Sequence, residues 1–183
     1  KVSESLGRII NEKHFNRLLN ILESDKESLL YGGEYDEEEK YIAPSIIEVK
    51  DWNSACMKEE IFGPILPIMS YRDLNQVIND INKQPKPLAL YLFTSDKRVE
   101  KKVLNEISSG GVSINDTILH LANSNLPFGG VGNAGMGAYH GEESFRTFSH
   151  RKSVLKKSRV LNTTLMYPPY SDKKLMVIKR FLK

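Results

Sequence analysis

An alternation between residues 65 and 115 narrows the fold more than any other feature of the sequence. Three short apolar runs, 65–71 (ILPIMSY), 88–94 (LALYLFT) and 111–115 (GVSIN), are separated by two amphipathic segments. Residues 73–82 carry Leu74, Val77, Ile78 and Ile81, and residues 96–107 carry Val99, Val103, Leu104 and Ile107. Spacing of this kind puts the apolar side chains on one face of a helix, whereas the short runs are strand-sized. Asp73, and Ser95 or Asp96, stand where an N-cap accepts hydrogen bonds from the free amides of a first turn. Strand, helix, strand, helix, strand predicts an α/β fold with a mostly parallel sheet and crossover helices. Residues 88–93 are apolar throughout, as suits a strand covered on both faces. Another helix is predicted over 12–23, with Phe15, Leu18, Leu19 and Leu22 on its inner face. In open sheets of this type ligands gather beyond the carboxyl ends of the strands, so the loops after Phe93 and Asn115 are candidate site walls.

Composition excludes several classes. At 183 residues, with 40% hydrophobic and 27% charged residues, the chain can bury a core and is neither collagen-like nor disordered. No run of residues is both long and apolar enough for a membrane span. The chain starts at Lys1 with no apolar stretch nearby, so no secretory signal is expected, and either processing or a longer parent polypeptide would account for the start. One cysteine, Cys56, cannot form an internal disulfide, which fits a reducing compartment and a cytoplasmic location. His14, His120, His140 and His150 show no metal-ligand spacing, so no metal is expected.

Charge is uneven. Residues 151–183 hold ten Lys/Arg against Asp172 alone, or +9, while residues 1–150 hold sixteen against twenty-two, or −6. A basic tail can meet an anionic membrane surface or nucleic acid, or stay solvated, or pack on an acidic neighbour. Its few aromatics, Tyr167, Tyr170 and Phe181, argue against nucleic acid. The acidic run 34–40 (EYDEEEK) follows Gly32-Gly33 and reads as a solvated turn.

Three local motifs bear on chemistry. Residues 130–135 (GVGNAG) satisfy G-x-G-x-x-G, but no strand precedes them and no acid follows about 20 residues on, so the glycines are expected to serve close packing in a loop. Cys56 has one neighbouring cation, Lys58, opposed by Glu59 and Glu60, and is expected to be a plain thiol. Residues 59–64 (EEIFGP) end a carboxylate pair in an aromatic and a Gly-Pro turn directly before a strand. Such a turn can hold Glu60 and Phe62 on one side of the chain, where a carboxylate accepts from sugar hydroxyls and an aromatic face lies on a heterocycle. A surface loop explains it equally well.

The order and spacing of EEIFGPILPI (59–68), KPLALY (86–91), SSGGV (108–112) with Asn115-Asp116, LPFGGVG (126–132) with Gly135-Met136-Gly137, and Tyr139-His140-Gly141 with FSHR (148–151) resemble the C-terminal part of the aldehyde dehydrogenases, in the class 3 and fatty-aldehyde branch. The likeness runs from about Gly7-Arg8-Ile9-Ile10 to about Tyr167-Pro168-Pro169. It implies oxidation of an aldehyde to a carboxylic acid: a cysteine thiolate attacks the carbonyl, hydride passes to NAD or NADP, and a glutamate activates water. In that family the nucleophile, the base and the nucleotide fold lie upstream of the stretch matched here, and Cys56 occupies no catalytic position. The resemblance therefore implies no catalytic residue in this chain, which alone should be inactive. It implies that Glu60 bonds the nicotinamide ribose and that Phe62 packs by the nicotinamide. It places Asn115 and Phe128 in the wall of the substrate funnel, with His120 and His140 at its entrance. Each histidine can equally be a loop residue satisfied by backbone. By the same likeness residues 1–150 are the C-terminal part of the catalytic domain, and 151–183 are a dimerisation strand and basic tail, implying a homodimer. The stretch 174–183 is too short to span a membrane but could lie on its surface. Two alternatives stay open: a non-catalytic binding or scaffolding module that keeps the fold, and a surface-binding module that uses the tail.

Overall fold

The structure, a computed structural model, describes residues 3, 5–158 and 164–181. The chain divides into two units, Lys1–Gln84 and Pro85–Lys183.

In the first unit, helix α1 (Glu12–Ser24) starts where the Asn11 side chain accepts from the His14 amide at 2.9 Å. Its buried side chains are Phe15, Leu18, Ile21 and Leu22. Strands β1 (Leu29–Tyr31), β2 (Tyr35–Asp36), β3 (Tyr41–Ile42) and β4 (Ser45–Glu48) follow, then β5 (Ile65–Ile68) and α2 (Leu74–Asn82). The sheet order is β1-β4-β5, with β1–β4 antiparallel and β4–β5 parallel; β2 and β3 form a separate hairpin. The turn of that hairpin is the acidic run, where the Asp36 carboxylate accepts from the Glu39 amide. The core gathers α1, Ile42, Ile47, Val49, Cys56 and Ile65, with Leu18 and Ile47 fully buried.

In the second unit, β6 (Ala89–Leu92), α3 (Lys97–Glu106) and β7 (Gly111–Ile114) form a parallel β-α-β unit, paired from Ala89–Gly111 to Leu92–Ile114. Asp96, not Ser95, is the cap of α3, accepting from the Arg98 amide at 2.8 Å. That amide and the Arg98 guanidinium hold the Asp96 carboxyl below its usual range. Short helices α4 (Leu119–Ala122) and α5 (Gly141–Thr147) and a C-terminal helix α6 (Asp172–Phe181) complete it.

The α/β class and the parallel pairs follow the expectation; the whole is mixed, because the antiparallel pairs lie in residues 29–48, where the strands are too short to show a pattern. One expectation changes. Strand β6 is not covered on both faces in this chain: Tyr91 within it is 39% exposed, and Phe93, just past its end, is 65% exposed. An all-apolar strand left this open lacks partner surface. Residues 151–158 belong to no helix or strand and are exposed, including Val154 and Leu155. Of the basic tail, residues 159–163 and 182–183 lie outside the described residues. No described helix is long and apolar enough to cross a membrane.

Candidate functional site

The EEIFGP turn sits between the core and β5, and α1 fixes it. Arg17 of α1 reaches across 42 residues of sequence to donate to the Glu59 carboxylate at 2.9 Å, and it also donates to the Ile61 carbonyl. Ile61 packs against the core cluster. Beyond it, the Ser45 amide donates to the Pro64 carbonyl at 2.8 Å, tying the turn to β4. Between these anchors Phe62 is held at φ 44° and is 79% exposed. A bulky side chain in the left-handed region is strained by about 1–3 kcal/mol and persists only where its surroundings enforce it. A Cβ at Gly63 would run into the Leu18 side chain, so glycine is what lets the turn close on the core.

The two carboxylates therefore have different fates. Glu59 is spent on Arg17. Glu60 is exposed and makes no hydrogen bond or ion pair among the described residues. A free carboxylate on an anchored turn, next to an aromatic ring held outward, can accept two hydroxyl donors of a sugar ring. Residues 59–64 thus fit a ribose-bearing cofactor.

Cys56 does not belong to this surface chemically. It is 2% exposed on a short 3₁₀ turn, Ala55–Met57, whose Cys56 amide donates to the Asp25 carboxylate at 2.9 Å. Burial, then a hydrogen bond and the negative charge of Asp25, push its thiol up to about 11. A thiol so raised is neutral at physiological pH and a poor nucleophile.

The second unit gathers the other four candidates. The Asn115 side chain continues the β6–β7 ladder past its end, accepting from the Thr94 amide at 2.8 Å and donating to the Thr94 carbonyl at 3.0 Å. Its φ of 57° is one that asparagine tolerates. Both arms of the amide are thus engaged with the chain's own backbone. Phe128 stands at the centre of an aromatic cluster, 6.0 Å from the His120 ring, 5.6 Å from Tyr139 and 6.1 Å from His140, between ring centroids. Tyr91 of β6 meets His120 edge-on at 5.8 Å. Phe128 and Tyr139 also exchange two backbone hydrogen bonds of 2.9 Å, closing residues 129–138 into a loop.

The G-x-G-x-x-G segment lies inside that loop. A Cβ at Gly130 would overlap the Ala134 carbonyl, as the close-packing reading requires. It opens only a three-residue 3₁₀ turn, Gly132–Ala134, so it presents no helix N-terminus to a phosphate.

The histidines correct one expectation. Neither His120 ring nitrogen, nor His140 Nδ1, has a hydrogen-bond partner among the described residues, although all three atoms are buried. Backbone therefore satisfies neither His120 nitrogen nor His140 Nδ1 among the described residues, and aromatic rings stand close to both imidazoles. Unmet buried polar atoms of this kind call for a partner.

Sequence reasoning missed Arg17, Thr94, Tyr91 and Tyr139. The last two lie in motifs already quoted, so a search for aromatic neighbours of Phe128 would have found them. Arg17 and Thr94 act across 42 and 21 residues and leave no local signal.

An α/β chain with a ribose-competent turn, an aromatic-imidazole cluster and no activated nucleophile among the described residues matches one part of a known oxidoreductase class. The family model described as the aldehyde dehydrogenase family matches residues 2–154, and the chain belongs to that family. It is 50% identical over 99% of its length to 4,4'-diaponeurosporen-aldehyde dehydrogenase of Staphylococcus aureus, of which it covers 39%. It is 50% identical over its whole length to aldehyde dehydrogenase family 3 member A2 of Rattus norvegicus, of which it covers 38%. Among solved structures, one titled as the substrate-bound state of Staphylococcus aureus AldH superposes with a TM-score of 0.82 at 50% identity, covering 97% of this chain and 38% of the other. An aldehyde dehydrogenase of Mycobacterium tuberculosis complexed with NAD+ gives a TM-score of 0.74 at 30% identity, with 83% and 32% covered. The chain spans a little under two fifths of the length of these curated relatives.

Proposed function

We propose that this chain is the C-terminal part of an NAD- or NADP-dependent aldehyde dehydrogenase that oxidises an aldehyde to a carboxylic acid. The observation that carries the reading is the free Glu60 carboxylate on a turn clamped by Arg17. Glu60 would accept from the vicinal hydroxyls of the nicotinamide ribose, and Phe62 would pack beside the nicotinamide. A nicotinamide cofactor, when bound, supplies the hydride acceptor. The residues of this chain would orient it: a carboxylate holding the ribose restricts where the attached ring can lie, and positioning of this kind is worth a large factor in rate.

Phe128, His120 and His140 line the path of the aldehyde as one aromatic and imidazole cluster. Asn115 contributes to the wall by shaping the loop after β7, since its amide already serves Thr94. Nucleophile and general base come from a longer polypeptide. The half-exposed β6 and the partial coverage of the relatives support that reading. Residues 151–158, exposed and outside any helix or strand, pair with the same residues of a second copy in a homodimer. The enzyme works in the cytoplasm.

The test is turnover. The 183-residue chain forms no reduced cofactor from aldehyde above background, while the longer polypeptide with its upstream cysteine does. Turnover by the isolated chain would refute the reading. A natural polypeptide that begins at Lys1 would instead favour a non-catalytic scaffolding module.

A further inference from the structure

A cavity of about 550 Å³ lies wholly within the first unit, between the end of β5, the start of α2 and the loop after β4. That volume is in the range of small-molecule sites. Its floor is apolar and polarisable, with Trp52, Met57 and Met69, and Met57 rests on the hydrophobic core. Tyr71, 63% exposed, stands at the mouth. Indole and phenol faces with thioether sulfur make a bed suited to a flat aromatic ring.

The charges at the rim are unbalanced in what they have left to give. Asp73 is engaged as the cap of α2, accepting from the Asn75 amide at 2.9 Å and from its side chain at 3.0 Å. Asp80 accepts from Lys83 at 2.9 Å and from Gln76 at 2.9 Å. Lys50 and Arg72 also line the cavity, and neither makes a hydrogen bond or ion pair among the described residues. Asp80 is paired with Lys83 and Asp73 meets only neutral amides, so Lys50 and Arg72 together leave the rim a surplus of positive charge, and the group that complements it is an anion, which a guanidinium binds through two parallel donors.

We propose that this cavity binds a small aromatic anion, its ring on Trp52 and Tyr71 and its carboxylate, sulfonate or phosphate on Lys50 and Arg72. The site is separate from the Glu60 turn and does not depend on the cofactor reading.

Trp52 is the only tryptophan in the chain, so its emission reports on this cavity alone. The full 183-residue chain is titrated with 2-naphthoate, and in parallel with neutral 2-naphthamide and with cyclohexanecarboxylate, which lacks the aromatic ring. Trp52 emission changes saturably with 2-naphthoate, and both comparison compounds bind more weakly. Calorimetry on Lys50→Gln and Arg72→Gln shows affinity for 2-naphthoate reduced by up to about fivefold each, the range of an exposed charge pair. Both substitutions are at solvent-facing side chains outside the core, so folding survives them. Equal binding of naphthamide, affinity unchanged in both charge variants, or no saturable change in Trp52 emission overturns the proposal.

Discussion

The turn at 59–64 and the ladder end at Asn115 solve opposite problems with similar groups. In the first, a cation from a distant helix takes one carboxylate and a carbonyl, and the neighbouring carboxylate of Glu60 is left free. In the second, an amide that looked available in sequence is consumed at both ends by Thr94, while the imidazole nitrogens of His120 in the same unit find no partner among the described residues. Of the polar groups that the sequence singles out, Glu60 and His120 are left over once the backbone is satisfied and Asn115 is not.

The comparison breaks most visibly at Asn115. Asn115→Ala removes two hydrogen bonds and puts a Cβ-bearing residue without a compensating side chain at a positive φ, so urea unfolding of the chain should show a loss of about 2 kcal/mol. A change near zero would mean the amide is free after all and returns Asn115 to the substrate wall as a direct contact.

His120→Phe is expected to act in the other direction. It replaces a buried ring with two unmet nitrogens by an apolar ring among aromatics, and the same unfolding measurement should show a gain of about 1 kcal/mol. A loss instead would show that the imidazole has a partner within the chain.

Arg17→Ala should be smaller still in stability, below about 1 kcal/mol, because its partner Glu59 is exposed. Its consequence falls on the turn: steady-state kinetics of the longer polypeptide should show KM for the cofactor rising while KM for the aldehyde stays level. An unchanged cofactor KM would separate the clamp from the ribose.

Much of this architecture was legible in the residues. Helices α1, α2 and α3 have the periodicity of a buried face and an Asn or Asp at the cap, and β5, β6 and β7 are bounded apolar runs. Short elements were not. The strands in 29–48 and helices α4 and α5 are two to seven residues long, below the length at which a period shows, and tertiary contacts rather than propensity hold them. At the candidate site, the turn at EEIFGP was legible because its Gly-Pro chemistry is local. What frees Glu60 was invisible, because the decision between Glu59 and Glu60 is made by Arg17, on another element. The engagement of the Asn115 amide by Thr94, 21 residues away, was equally invisible.

The account stands or falls on Glu60, whose loss should leave stability almost unchanged. Pre-steady-state formation of reduced cofactor, followed in the longer polypeptide with Glu60→Ala, should slow by about 10²-fold, the scale of a lost positioning contact. Hydride transfer at the unsubstituted rate would contradict it.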